Sequence, residues 1–195
     1  MINASYIVRL HDQATLFWHD PSAPFPEVAN SFDRLVLEQH RANFDLWHLE
    51  DAARDLQAAD QDIAACKRAI DKLNQSRNDL VEAIDLELFT AVRQFEDLPL
   101  HSETPGQMID RLSILSLKHF HTEEETRRVE AGLPHQRRNI ERLATLSEQR
   151  DDLANCLGAL WAEVLAGSRR FKLYRQLKMY NDPTLNPVLY GGRRS

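Results

Sequence analysis

The chain has 195 residues, with 24 Lys and Arg against 30 Asp and Glu, so it carries a net charge of −6 at neutral pH. That length suits one domain with a sizeable core, and the acidic balance offers nucleic acid or an anionic membrane no bulk attraction. No window approaches the roughly 18 apolar residues of a membrane span, and MINASYIVRLHDQ lacks a basic region followed by an apolar run, so a cytoplasmic protein without a transmembrane segment is expected.

The predicted elements follow from where proline and glycine interrupt helical periodicity. A first helix runs from about Ala4 to Trp18 and stops at Asp20-Pro21. A second begins after Pro26 and carries Phe32, Leu35, Val36, Leu46, Trp47, Leu49 and Ala53 at helical spacing to about Leu56. The third, about Asp60 to Phe95, keeps Ile63, Cys66, Ile70, Leu73, Leu80, Val81, Ile84, Leu88, Val92 and Phe95 on one stripe.

Thr104-Pro105-Gly106-Gln107 then reads as a capped start, with Thr as N-cap, Pro at the first helical position and Gln returning the capping bond, for a fourth helix to about Glu130. Gly132 and Pro134 open a fifth helix that reaches Gly167, and a short sixth is expected over Arg169 to Tyr180 before an extended tail from 181 to 195. No stretch alternates with period two. The fold expected is therefore all-α, a single-domain antiparallel bundle of five to six helices with long second, third and fifth members. Its centre should be the fourth helix, because Met108, Ile109, Leu112, Ile114, Leu115, Leu117 and Phe120 spread around its whole circumference.

Several polar residues share the angular sectors of these apolar stripes, at about 100° per residue. Asn43, Glu50 and Arg54 do so on the second helix, Asn74 and Arg77 on the third, and Asn139 and Arg150 on the fifth, with Asp110 near the start of the fourth. Buried charges need partners, so two readings stand side by side. In one, Glu50 and Asp110 neutralise Arg54, Arg77 and Arg150, and the Asn side chains complete an internal network. In the other, Arg outnumbers carboxylate and a guanidinium fork is left for a phosphate or carboxylate ligand. Glu50 and Arg54 lie one turn apart and can neutralise each other, so Arg77 and Arg150 are the informative pair.

Two further clusters stand out. His121 with Glu124 or Glu125 spans one helical turn and could place two ligands on a metal, or form a solvated acidic helix end. The acidic pairs Glu50/Asp51, Glu82/Asp85 and Glu124/Glu125 loosely mimic a magnesium-binding bundle, while His40, His48, His101 and His135 have no partner at a convincing spacing. Arg170, Lys172, Arg175 and Lys178 alternate with aromatic and aliphatic residues and form a local basic segment suited to an anionic partner or to packing on the bundle. Cys66 and Cys156 fall on apolar faces without CxxC or Cys/His spacing, so core thiols are expected, and no cofactor is implied. Phe17, Trp18 and the C-terminal aromatic residues either close a homodimer or cap the monomer's own bundle.

The strings Asn43-Phe44-Asp45-Leu46-Trp47-His48-Leu49-Glu50-Asp51-Ala52-Ala53-Arg54, Asn74-Gln75-x-Arg77-Asn78-Asp79-Leu80, Ser102-Glu103-Thr104-Pro105-Gly106 and Ile109-Asp110-Arg111-Leu112-Ser113, with Lys178-Met179-Tyr180-Asn181-Asp182-Pro183, resemble the bacterial domain of unknown function 4254 family over nearly the whole chain. The resemblance implies a single compact helical domain, often encoded beside glycosyltransferases of cell-surface polysaccharide synthesis. It brings no reaction and no catalytic residues. Two functions are expected from different classes: an accessory or binding protein for a phosphorylated sugar, a nucleotide sugar or a glycosyltransferase partner, or a small helical enzyme, a hydrolase or transferase acting on a phosphate-containing metabolite. In the second, Glu50 or Asp110 would act as general base or metal ligand, and Arg77 and Arg150 would hold the phosphate.

Overall fold

A computed structural model describes residues 2–175. Five α-helices, α1 (Ala4–His19), α2 (Ser31–Ala52), α3 (Asp60–Ala91), α4 (Pro105–Arg127) and α5 (Leu133–Leu165), form the described chain with one 3-10 turn at Val129–Ala131. Their starts obey local chemistry. Asn3 and Asn30 cap α1 and α2 by accepting from the backbone N–H of Tyr6 and Asp33. Thr104 and Gln107 form the expected capping box on α4.

Helix directions follow from which residues meet. His40 of α2 touches Thr15 and stacks on His11 of α1, while His48 faces His19, so α1 and α2 run parallel. Ser113 bonds His40 and His121 stacks on Trp47, so α4 runs the same way. Asp85 lies at Gly106 and Arg77 at Asp110, and Glu125 meets His135 while His119 meets Ser147, so α3 and α5 run opposite to α4. Parallel α1 and α2 require the chain to travel back along the bundle between them. The Pro-rich stretch 20–30 does this: 11 extended residues reach roughly 36 Å, against about 24 Å for a helix of α1's length.

α4 is the central element, touching α1, α2, α3 and α5. Met108, Ile109, Leu112 and Leu117 are buried on it, and join Ile7, Leu10, Val36, Ile84, Leu157 and Trp161 in the core. No helix among the described residues is long and apolar enough to cross a membrane.

Two expectations need correction. The segment after α5 is extended rather than helical through Arg175. Gly167 adopts φ +68, the backbone N–H of Ser168 bonds back to Glu163, and the chain reverses. It then pairs with the α3–α4 connection, with His101 N–H donating to the Arg170 carbonyl at 2.8 Å and Arg170 N–H to the Pro99 carbonyl at 3.1 Å. Those bonds satisfy the backbone while Phe171 enters the core, which a further helix would not allow. Next, Cys156 is exposed and Cys66 only half-buried. Cys156 sits about 100° off the buried Leu157, and Cys66 lies on the opening turns of α3, where of the first eleven residues only Ile70 is buried. Phe17 packs edge-on against Phe25, and Trp18 against Phe44.

α3 approaches the start of α4 unusually closely. A Cβ on Gly106 would lie 2.7 Å from both the Asp85 carboxylate and the Val81 carbonyl, so only glycine fits. Gly106→Ala is expected to cost about 2 kcal/mol in urea denaturation, as overpacking against backbone does. Asp85 accepts from Thr104 Oγ1 at 2.5 Å and from Gly106 N–H at 2.6 Å, yet burial pushes its carboxyl up to about 6. A raised folded-state value means stability fully present below the ordinary aspartate value of 3.8 and lost as pH rises through about 6. Denaturation across that window should show this slope in the native protein and a flatter profile in Asp85→Asn.

Candidate functional site

The densest polar arrangement lies where α2, α3 and α4 meet. Asp110 is buried and accepts from Gln39 Nε2 at 2.5 Å, Asn43 Nδ2 at 3.0 Å, Arg77 Nε at 2.8 Å and Arg77 Nη2 at 2.5 Å. The Arg77 contact is side-on and bidentate, the geometry that fixes a guanidinium plane most firmly. It leaves Arg77 Nη1 outside the pair. This guanidinium stands at the back of a solvent-open cleft of about 390 Å³ lined by Asn43, Leu46, Trp47, Glu50, Asp51, Arg54, Asn74, Arg77, Ile114 and Leu117.

Five of the eight expected inward polar residues, Asn43, Glu50, Arg54, Asn74 and Arg77, line one cleft, with Asp110 bonded to Arg77. Two details differ. Glu50 and Arg54 pair with each other at 3.0 Å but are rim residues, their side chains 45% and 68% exposed. Glu50 lies on the last turn of α2 and Arg54 beyond its C-cap Ala53, so the helical angle assigned to Arg54 does not apply there. Arg150 does not join the cleft. It is half-buried against α1, where it donates to both carboxylate oxygens of Asp12, at 2.9 and 3.2 Å. Every inward arginine of the expected set thus has a carboxylate partner.

Asn139 is buried within α5's own first turns, bonded to His135 and Arg142. Glu124 accepts from His121 Nδ1 at 3.0 Å, whereas Glu125 turns to His135 and Arg128, so the two acids serve different partners. His121 instead meets His19 and His48. Of the paired acids, Asp85 is committed to the α4 N-terminus. In the basic segment, the Arg170 side chain donates to the Leu98 carbonyl; Lys172 and Arg175 are exposed, and Lys178 lies outside the described residues.

The network continues inward beyond what spacing shows. Asn43 Nδ2 also donates to Ser113 Oγ at 2.9 Å, and Ser113 Oγ lies 2.7 Å from His40 Nδ1. His40 Nε2 faces the His11 carbonyl at 3.0 Å, which can only accept, so Nε2 carries the hydrogen and Nδ1 accepts from the Ser113 hydroxyl. Burial pushes His40 down to about 3, and it stays neutral. Ser113 and His40 resemble a nucleophile and base, but both are wholly buried, and their role is to join α1, α2 and α4. No motif marks them, because Gln39, His40 and Ser113 come together only through packing.

Removing the Asp110 carboxylate strands Arg77, Gln39 and Asn43 together, so Asp110→Ala is expected to cost about 3 kcal/mol. Arg54→Ala, which breaks only a rim pair, should stay within about 0.5 kcal/mol of the native protein by the same urea titration.

No curated protein and no solved structure matches the chain. A family profile described as "Protein of unknown function (DUF4254)" matches residues 33–173, a span that includes α3, α4, α5, all but the first two residues of α2, the partners of Asp110 and the lining of the cleft. The chain belongs to that family.

Proposed function

We propose that the α2–α3–α4 cleft is a ligand-binding site for a small hydroxylated molecule bearing one anionic group, a sugar phosphate or nucleotide sugar, and that the protein is a binding or accessory component of cell-surface polysaccharide synthesis working with a glycosyltransferase. The observation that carries this reading is Arg77: Asp110 holds it rigidly through Nε and Nη2, leaving Nη1 uncommitted at a cleft open to solvent. A donor fixed before binding loses little entropy when a ligand arrives.

The surroundings support a hydroxyl-rich body rather than a bare anion. Glu50, Asp51 and Asp110 outnumber Arg54 and Arg77, so the local charge is slightly negative, and phosphate alone would gain little. Carboxylates and the Asn43 and Asn74 amides suit sugar hydroxyls, while Leu46, Trp47, Ile114 and Leu117 offer an apolar surface for C–H groups. The cavity of about 390 Å³ falls within the size range of small-ligand sites.

An enzymatic reading draws on the same cleft, because Glu50 and Arg77 share its wall. There Glu50 is the carboxylate placed to move a proton. Asp110 is less suited, since four hydrogen bonds already occupy its oxygens.

Thermal shift and calorimetry with a hexose phosphate, a nucleotide sugar, the free hexose and inorganic phosphate test the proposal. A phosphorylated sugar should raise the melting temperature while inorganic phosphate does not. Arg77→Lys keeps the charge beside Asp110 but removes the free fork, and together with Asn74→Ala should weaken binding about tenfold or more. Absence of binding across the panel, or binding indifferent to both variants, would sink it.

A further inference from the structure

We infer that His19, His48 and His121 form a three-histidine site for a divalent transition metal, zinc foremost, at the end of the bundle where α1, α2 and α4 meet. One ring nitrogen from each lies within 4.8 Å of the other two. The rings come from three separate helices, 29 and 73 positions apart in sequence, so helical periodicity does not bring them together.

The tautomers point the same way. His19 Nδ1 donates to the Thr15 carbonyl at 2.9 Å and His48 Nδ1 to the Phe44 carbonyl at 2.8 Å. His121 Nδ1 meets the Glu124 carboxylate at 3.0 Å. All three acceptors lack a hydrogen to give, so each Nδ1 carries one and each Nε2 presents a lone pair. Metal-binding histidines are oriented in this manner, the second nitrogen donating to a carbonyl or carboxylate. His19 Nε2 and His121 Nε2 are buried without any hydrogen-bond partner, which is costly for an imidazole unless something else meets the lone pair. Stacking holds the rings in place: His19 lies on Phe120 with centroids 4.5 Å apart, and His121 on Trp47 at 4.8 Å.

Imidazole nitrogen favours zinc, copper and nickel over magnesium or calcium. Three protein nitrogens leave a fourth tetrahedral position for water or a ligand atom, the arrangement of catalytic rather than closed structural zinc. His48 is exposed, so that position has access to solvent. Glu124 becomes a positioning residue that orients His121 rather than a ligand. This site is separate from the Arg77 cleft; Trp47 lies between them, lining the cleft and stacking on His121.

The test uses the full chain without a histidine tag, titrated with zinc by calorimetry and with cobalt followed by visible absorption, alongside metal analysis after dialysis. One zinc per chain and a tetrahedral cobalt spectrum are expected. His48→Ala, at an exposed position where circular dichroism and melting should match the native protein, should abolish both, and Glu124→Gln should weaken affinity about 10-fold to 100-fold. His101→Ala, away from the cluster, should change nothing. Failure of the native chain to take up stoichiometric metal, or equal zinc affinity in His48→Ala, overturns the assignment and leaves the rings an aromatic packing cluster.

Discussion

A carboxylate buried at the junction of three helices has to be neutralised, and the neutralisation of Asp110 governs how this bundle is put together. Removing such a group from water costs several kcal/mol unless its oxygens are bonded and its charge opposed. Gln39 and Asn43 from α2 and Arg77 from α3 meet that demand simultaneously, which fixes both helices in register against α4. Asn43 passes the constraint on through Ser113 to His40, and His40 passes it to α1. The apolar core is tolerant of small slides between helices; a bidentate ion pair is not. Arg77 therefore presents a rigid guanidinium edge to the cleft as a consequence of holding the fold together.

The start of α4, one turn before Asp110, imposes a second, steric constraint. Gly106 lets the backbone of α3 approach so closely that Asp85 reaches both the α4 N-terminus and the Thr104 cap. The reversal at Gly167 then returns the chain to the α3–α4 connection, where Arg170 pairs with Leu100 and Phe171 closes the core. With the first turns of α4 held by both constraints, Asp110 and Ser113 face fixed neighbours.

The cleft and the three-histidine cluster ask for different chemistry. The cleft combines a fixed guanidinium, carboxylates and amides with an apolar wall, a composition suited to a polar organic ligand. The cluster brings one ring nitrogen from each of three histidines within 4.8 Å of the others, with Nδ1 of His19 and of His48 bonded to backbone carbonyls, a composition suited to a metal ion. Trp47 belongs to both, since one ring lines the cleft and stacks on His121.

Local physics made the helices legible in the chain itself. Prolines and glycines broke the 3.6-residue pattern at the right places, and Thr104 to Gln107 announced its capping box, because caps and breaks depend on residues a few positions apart. Helical angle likewise pointed Asn43, Asn74 and Arg77 towards a common region. Angle failed where α2 ends, at Glu50 and Arg54, and for Cys156 beside the stripe of α5. It failed again over Arg169 to Arg175, where a basic amphipathic pattern was overridden by backbone pairing with a connection some seventy residues earlier. Which carboxylate serves which arginine, Asp110 for Arg77 and Asp12 for Arg150, was decided by packing alone. So was the meeting of His19, His48 and His121, since such contacts join residues whose separation in the chain carries no periodic signal.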